Sequence, residues 1–233
     1  MKMISIHVDI EEVKDVNPED YKDFHTKFEW TMEAYSILKK TFHLNSFRSN
    51  QLEAINAVLS GEDVFVLMPT GGGKSLCYQL PALVESGITH GTTIVISPLI
   101  SLMQDQVEHL LAKGIKAAML NSKAGMSERK NIFNLFIGGF LKLIYISPEM
   151  ISASNAAKSA IGKLYRDKRL ARIVVDEAHC VSSWGHDFRP DYKALSYFKT
   201  EYPDIPVMAL TATANEKVRM DIIHNLKLNK PNL

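Results

Sequence analysis

Short apolar runs recur along the chain and alternate with stretches that have the apolar spacing of amphipathic helices. The runs are 64–68, 93–97, 116–120, 141–146, 172–176 and 206–210. The helical stretches that follow them are 74–84, 101–111, 127–136, 155–165 and 216–226. Continuous apolar strands separated by helices are typical of a parallel sheet with helices on both faces. The pattern predicts an α/β domain in which ligands bind beyond the carboxyl ends of the strands.

The amino-terminal part differs from this body. Residues 1–29 have no clean period and hold eight acidic residues and four lysines, a balance of −4, which leaves +5 on the other 204 residues. They predict a flexible acidic extension. Apolar positions three and four apart then predict helices over 30–42 and 51–59. We therefore expect a short helical and flexible lead-in before one domain that covers residues 30–233. The mildly basic body permits a polyanionic partner without requiring one.

Composition removes several classes of protein. No apolar stretch is long enough to cross a bilayer, so no membrane association is expected. The first residues turn acidic at once and predict no cleaved secretory signal. The two cysteines, Cys77 and Cys180, form no Cys-x-x-Cys pair, so we expect neither a disulfide framework nor a cysteine zinc site, and we expect a reducing compartment.

A glycine-rich turn follows the first apolar run and precedes a helix. Its residues, Thr70, Gly71, Gly72, Gly73, Lys74 and Ser75, allow the backbone N–H groups to surround phosphate oxygens. Lys74 can reach the β- and γ-phosphates of a nucleotide, and the Ser75 hydroxyl can ligate Mg²⁺. Met68 occupies the position of the first glycine of the general P-loop pattern. An ordinary glycine-rich turn is the competing interpretation, and the strand–turn–helix context favours the P-loop.

An acidic pair follows the fifth apolar run. Asp176 lies at the predicted carboxyl end of that strand, where it can hold Mg²⁺ through water, and Glu177 can orient or deprotonate an attacking water. The alternative is a pair that caps a helix. Together with the P-loop, the pair predicts a core that hydrolyses nucleoside triphosphates, a property shared by small-molecule kinases, GTPases and motor ATPases.

The flanking residues narrow this choice. The segments PTGGGKSLCYQ (69–79) and DEAHCVSSWGHDFRP (176–190) resemble the RecQ family of DNA helicases, and the overall sequence most resembles its Bloom-type branch, including the fungal member. The resemblance covers roughly residues 32–233 and matches the first RecA-like lobe. It implies an adenine-reading motif at Arg48 and Gln51, whose planar guanidinium and amide suit a base. Without the family pattern, these two residues would be assigned to the surface start of a helix.

The same resemblance assigns DNA contacts and coupling residues. SPLISLMQDQ (97–106) and YISPE (145–149) resemble DNA-contact motifs, and ALTATA (209–214) resembles the motif that couples hydrolysis to DNA. The candidates for backbone phosphate contact are Ser97, Ser101 and Gln104, although Ser101 can equally cap a helix. Thr211 and Thr213 are the coupling candidates. His179 is a better link between the acidic site and these threonines than a metal ligand, because no second histidine or cysteine stands at ligand spacing.

An aromatic-rich loop comes directly after the acidic pair. Trp184 and Phe188 suit stacking on unpaired bases, and Arg189 adds charge for phosphate. A local core that holds the loop shut is the alternative, and it is more plausible for Phe188 and Tyr192 than for Trp184. Ser183 replaces the glutamine of many relatives, which weakens the expected contact there.

The resemblance implies an ATP- and Mg²⁺-dependent 3′ to 5′ DNA helicase of the nucleus, acting on single-stranded and forked DNA in recombination, repair and replication. It also implies a second RecA-like lobe with an arginine finger, zinc and winged-helix regions, and a region that recruits a type IA topoisomerase. We expect residues 215–233 to hold neither the second lobe nor the zinc and winged-helix regions, and we expect the recruiting region, which is N-terminal in the family, to be absent as well. No zinc is expected in the chain. An isolated lobe that binds ATP–Mg²⁺ and single-stranded DNA without turnover is the second hypothesis. An RNA helicase of the same superfamily is a third.

Overall fold

The computed structural model describes residues 28–229 and, as backbone, the stretches 4–7 and 15–16. Its strands are β1 (Ile4–His7), β2 (Asp15–Val16), β3 (Phe47–Arg48), β4 (Val64–Leu67), β5 (Thr92–Ile96), β6 (Ala117–Leu120), β7 (Leu143–Ile146), β8 (Leu170–Val175) and β9 (Val207–Thr211). Its α-helices are α1 (Thr31–Lys40), α2 (Gln51–Leu59), α3 (Leu76–Gln79), α4 (Ile100–Ala112), α5 (Met126–Ile137), α6 (Pro148–Ala153), α7 (Asn155–Arg166), α8 (Tyr197–Glu201) and α9 (Glu216–Asn225). Short 3₁₀ helices cover Pro81–Leu83, Ala178–Val181 and Pro190–Ser196.

Seven strands form one parallel sheet in the order β1-β4-β9-β8-β5-β7-β6, and β2 pairs with β3 in a separate antiparallel ribbon. The predicted α/β, RecA-like class is confirmed. The last strand, β9, is inserted between β4 and β8. The carboxyl ends of β4, β9 and β8 therefore lie side by side, and the loops that follow them meet at one edge of the sheet.

Both faces of the sheet are buried, which explains why the strands are continuously apolar. Phe65 packs on one face with the helices α5 and α7, whereas Val64 and Val66 pack on the other with α4. A third cluster joins α1 and α2 to α3 through residues such as Trp30 and Leu38, as the apolar spacing of 30–42 predicted.

A buried ion pair ties the amino ends of β4 and β9 together. The Lys199 ammonium donates to the Asp63 carboxylate at 3.0 Å, and both side chains are at most 4% exposed. Asp63 also accepts hydrogen bonds from the N–H groups of Val207, at 2.8 Å, and Asn229, at 3.0 Å. This cluster holds the two strands whose opposite ends carry the glycine-rich turn and Thr211.

Several elements differ from the prediction. The helix expected over 74–84 ends as α3 at Gln79, because Pro81 has no N–H to continue the helical hydrogen bonds. The short helices α6 and α8 and the strands β1 to β3 were not predicted. Two stretches of the predicted flexible extension, residues 4–7 and 15–16, form β1 and β2. The rest of that extension, as far as residue 27, lies outside the described residues. Among the described helices, none has the length and apolar character needed to span a bilayer.

Candidate functional site

The glycine-rich turn leaves β4 and enters α3. Gly71 and Gly73 have φ angles of +81° and +82°, a left-handed conformation that side chains other than glycine rarely adopt. A Cβ atom on Gly73 would also lie 2.2 Å from the Gln51 amide nitrogen. Thr70 and Gly71 are exposed, while Gly72 is buried against Pro69. The backbone of this turn has the curvature that the P-loop prediction requires.

Arg48 and Gln51 lie against the turn. The Arg48 guanidinium donates to the Gly71 carbonyl, and the Gln51 amide donates to the Gly73 carbonyl at 3.1 Å. The Gln51 oxygen accepts the Arg48 N–H at 2.7 Å, which fixes the two residues relative to each other. Both residues therefore line the same cleft as the P-loop, with the Gln51 amide bonded on both sides within the protein. Their role in reading adenine stays a prediction.

The acidic pair faces Lys74 across the cleft. The Lys74 ammonium is 3.5 Å from a Glu177 carboxylate oxygen and 3.9 Å from an Asp176 oxygen. Glu177 has a φ of +50°, a costly conformation for a non-glycine residue that concentrates at functional sites. Tyr192, which is fully buried, donates its hydroxyl to the Asp176 carbonyl at 3.0 Å and supports this turn.

Burial controls the protonation of this pair. Desolvation raises the pKa of Asp176 to about 6, and the charge on Glu177 adds to the rise, while Lys74 opposes it. A buried carboxylate with a raised pKa gains from a nearby cation, because the cation favours the charged form. The pair is thus suited to a metal ion or to the Lys74 ammonium.

His179 connects the acidic pair to the end of β9. Its Nδ1 atom lies 2.9 Å from the Thr211 hydroxyl oxygen and 3.5 Å from Glu177 Oε2. The Thr211 hydroxyl in turn donates to the Thr213 carbonyl at 3.2 Å. Desolvation lowers the pKa of His179, which keeps the imidazole neutral near pH 7. The predicted link between His179 and the threonines is therefore present in the geometry.

These residues surround a cleft of about 780 Å³. It is lined by the P-loop, the adenine-motif residues, the acidic pair and the segment 42–46. Its size and its opposed ends, amide and guanidinium at one side and carboxylates at the other, fit a nucleotide with a divalent cation. Ser75 and Asp176 both line the cleft and could supply oxygen ligands to Mg²⁺.

The three residues predicted to contact DNA phosphates differ in their exposure to solvent. Ser101 and Gln104 are exposed on α4, and Ser101 lies in the first turn of the helix, after Leu99, rather than at its cap. The Ser97 hydroxyl is buried and has no hydrogen-bond partner in the described part of the chain. The segment that follows β5 would have to move before Ser97 could reach DNA.

The aromatic-rich loop separates into buried and exposed residues. Trp184 is 62% exposed and Phe188 is 37% exposed, whereas Tyr192 belongs to the core. The alternative of a local core is therefore right for Tyr192 alone among the three. Arg189 lies 3.4 Å from the Asp187 carboxylate, so part of its charge is already paired.

Three side chains near the acidic pair could together approach a metal ion. The possible ligand atoms of His179, Cys180 and Asp187 lie within 4.8 Å of one another, although the sequence spacing had argued against a metal at His179. Burial raises the pKa of the Cys180 thiol to about 12, and the Asp187 carboxylate lies 3.4 Å from Arg189. To bind a metal, the thiol would have to lose its proton and the carboxylate its ion pair. The absence of zinc stays a prediction.

Two glutamines were missed by the sequence analysis. Gln79, at the end of α3, donates to Gln106 on α4 at 2.6 Å and to the Tyr145 hydroxyl at 3.2 Å, and both glutamines line the cleft. They connect the P-loop helix to the helix that carries the predicted DNA contacts. Each is the last residue of a segment that carries the family resemblance, 69–79 and 97–106, but only tertiary packing shows that the two side chains are partners.

A P-loop after β4 and an acidic pair after β8, at the same edge of a parallel sheet with β9 between the two strands, define a nucleotide-binding core of the RecA-like type. The family model described as DEAD/DEAH box helicase matches residues 48–221, which is more than half of the chain. The chain belongs to the DEAD/DEAH box helicase family.

Curated relatives support the resemblance to the Bloom-type branch of the RecQ helicases. The chain is 70% identical over 204 residues to the ATP-dependent helicase SGS1 of Saccharomyces cerevisiae, covering 88% of this chain and 14% of that protein. It is 50% identical over 208 residues to the RecQ-like DNA helicase BLM of Xenopus laevis, covering 88% of this chain and 15% of that protein. The resemblance to the Bloom-type branch of the RecQ helicases, and to a fungal member, is confirmed. The chain spans only a small part of these relatives.

Solved structures show the same fold. The DUF1998 helicase MrfA bound to DNA and AMPPNP matches with a TM-score of 0.66 at 18% identity, over 94% of this chain and 30% of that one. The helicase domain of Hef from Pyrococcus furiosus matches with a TM-score of 0.51 at 20% identity, over 76% of this chain and 35% of that one.

Proposed function

We propose that this chain is the nucleotide-binding lobe of an ATP-dependent DNA helicase that couples ATP hydrolysis to single-stranded DNA. The observation that carries the proposal is the approach of Lys74 to Asp176 and Glu177 across the cleft. Opposite charges at a P-loop and a strand end are the arrangement that nucleotide hydrolysis requires. The RecQ-type relatives are named as ATP-dependent helicases, which supports the same assignment.

Each side chain of the cleft has a proposed task. Arg48 and Gln51 hold the adenine, and the backbone of residues 70–73 with Lys74 holds the phosphates. Ser75 and Asp176 ligate Mg²⁺, which supplies charge neutralisation at the phosphate oxygens. Glu177 orients or deprotonates the attacking water.

The proposed coupling runs from the acidic pair to DNA. His179 joins Glu177 to Thr211, and Thr211 joins Thr213, so a change at either end can reach the other through contacts of 2.9–3.5 Å. Ser101 and Gln104 contact the phosphates of the strand, and Ser97 joins them once the segment after β5 has moved. Trp184 and Phe188 stack on its bases, and Arg189 binds phosphate.

The parent protein extends the proposal. We propose residues 30–233 as the first RecA-like lobe, preceded by an acidic extension over residues 1–29, and a second lobe that supplies the arginine finger. The 3′ to 5′ polarity, the preference for single-stranded and forked DNA, the nuclear location and a type IA topoisomerase partner belong to the same proposal.

The 233-residue chain alone has a second candidate function as a binding module without turnover. Among the residues that line the described cleft, Arg48 is the one arginine, and it contacts the P-loop backbone. A finger arginine in related enzymes is worth about 10³–10⁵ in rate. We therefore expect the chain alone to bind ATP–Mg²⁺ and DNA but to turn over very slowly.

Competition between nucleic acids separates the DNA from the RNA hypothesis. Single strands of DNA and RNA with matched sequence should compete unequally for the chain, with DNA favoured. Trp184→Ala and Arg189→Ala should weaken binding of both strands, since the two residues stack and pair without reading base edges. Equal competition would contradict the DNA assignment, and unchanged binding in both variants would remove the loop from the site.

A further inference from the structure

Trp184 presents an indole ring to solvent on a loop that follows the acidic site. The ring is 62% exposed, in contrast to the other tryptophan, Trp30, which is 4% exposed. The loop backbone is nevertheless held in place, because the backbone N–H of Trp184 donates to the Ser182 hydroxyl at 3.2 Å. An exposed aromatic residue in a fixed position is a platform for an unpaired base.

One face of this platform is already covered. The Lys217 ammonium lies 3.3 Å from the centroid of the Trp184 ring, within the range of a cation–π contact. No carboxylate pairs with this ammonium in residues 28–229. Lys217 is in the first turn of α9, where the helix dipole disfavours a cation. The ring face is thus the compensating partner of a lysine in an unfavourable position.

The same helix holds the base of the loop. The Ser182 hydroxyl donates to Asp221 Oδ2 at 2.6 Å, and the Asn225 amide donates to Asp221 Oδ1 at 2.9 Å. Ser182 is three residues after His179, which contacts Thr211, and α9 begins five residues after Thr211. The loop and α9 are therefore joined at two points and both connect to the acidic site.

We propose that Lys217 caps one face of the Trp184 ring, that a base of single-stranded DNA takes its place on this face, and that Asp221 holds the base of the loop through Ser182 before and after the exchange. The proposal rests on the proposed DNA binding. A base and an ammonium cannot occupy the same face of the ring, so a base that stacks on the capped face releases Lys217 from the ring. The release separates α9 from the ring and leaves Ser182–Asp221 as the remaining contact.

Tryptophan fluorescence tests the cap without DNA. Acrylamide quenching of Trp184, obtained by subtracting the signal of a Trp184→Phe variant, should increase in Lys217→Ala because the covered face becomes accessible. Lys217→Arg should show the same quenching as the unsubstituted chain, since a guanidinium also covers an aromatic face. Unchanged quenching in Lys217→Ala would overturn the cap.

Titration with oligothymidylate tests the displacement. Lys217→Ala should bind the oligonucleotide about two- to five-fold more tightly, the range that corresponds to an exposed cation–π contact. The matched control is Lys227→Ala, which removes one positive charge just after the same helix, where the ammonium contacts Thr200. Lys227→Ala should not tighten binding. Weaker binding in Lys217→Ala than in this control would make Lys217 a phosphate contact and would overturn the proposal.

The two tests also separate this proposal from the proposed function. If the unsubstituted chain fails to bind oligothymidylate, that result contradicts both the DNA function and the displacement step. In that case the acrylamide result still decides whether Lys217 covers Trp184. If the unsubstituted chain binds DNA and the two variants, Lys217→Ala and Lys227→Ala, have the same affinity for it, that result contradicts the cap alone.

Discussion

Removing Asp63 should destabilise the domain strongly, although the residue is remote from the cleft. In Asp63→Ala, the Lys199 ammonium stays buried with only the Pro203 and Ile205 carbonyls, at 3.1 and 3.2 Å, as partners. The N–H groups of Val207 and Asn229 lose their acceptor at the same time.

The size of the effect follows from burial. Breaking a buried ion pair by removing one partner costs about 3–5 kcal/mol, because an uncompensated charge remains. Domains are stable by about 5–15 kcal/mol in total. With a urea m-value of about 3 kcal/mol/M, the unfolding midpoint should fall by about 1–1.7 M. Urea denaturation followed by circular dichroism measures this shift.

An exposed ion pair in the same chain is the control. Glu85 and Lys142 form a salt bridge with side chains 64% and 35% exposed, so Glu85→Ala should cost about 1 kcal/mol or less. The double variant Asp63→Ala/Lys199→Met should lose less than the sum of its single variants, since no charge is left buried. A loss below about 1 kcal/mol in Asp63→Ala would refute the reasoning.

Three further predictions concern the cleft. The pKa of Asp176 is raised to about 6, so protons compete with Mg²⁺ for the carboxylate as the pH falls through this value. The affinity for ATP in the presence of Mg²⁺ should therefore drop between pH 7 and pH 5. An equal drop in the absence of Mg²⁺ would assign the pH dependence to another group. Gly73→Ala places a Cβ 2.2 Å from the Gln51 amide at a φ of +82°, so binding of a fluorescent ATP analogue should fall at least about ten-fold, and full binding would contradict the required curvature. Tyr192→Phe removes the hydrogen bond to the Asp176 carbonyl and should cost about 1 kcal/mol in urea unfolding, whereas a stabilised variant would contradict the contact.

The sequence was most informative where local pattern and burial agree. The strands β4, β5, β7, β8 and β9 are apolar on both faces, so the continuous runs located them to within a few residues. The helix α2 has the predicted bounds 51–59. Because parallel strands end at the same edge, Lys74 and Asp176 were expected to meet, and they do so at 3.9 Å.

The remainder depends on contacts between distant segments. The β2–β3 ribbon has two residues in each strand, too few for any alternation to be visible. Lys217 reads as an ordinary surface lysine of an amphipathic helix until the fold places it over Trp184. The burial of Tyr192 against the exposure of Trp184 likewise follows from tertiary packing, since both are aromatic residues of one loop.

Nucleotide binding by the chain and by Lys74→Ala, in the presence of Mg²⁺, tests the central claim most directly. Turnover should be followed in the same samples with and without single-stranded DNA. The account predicts that the chain binds ATP, that Lys74→Ala loses this binding, and that turnover is very slow in both. Equal ATP binding by the two proteins would contradict a P-loop site at Lys74. DNA-stimulated turnover that is lost in Lys74→Ala would instead show that a finger is supplied by this chain or by a second copy of it.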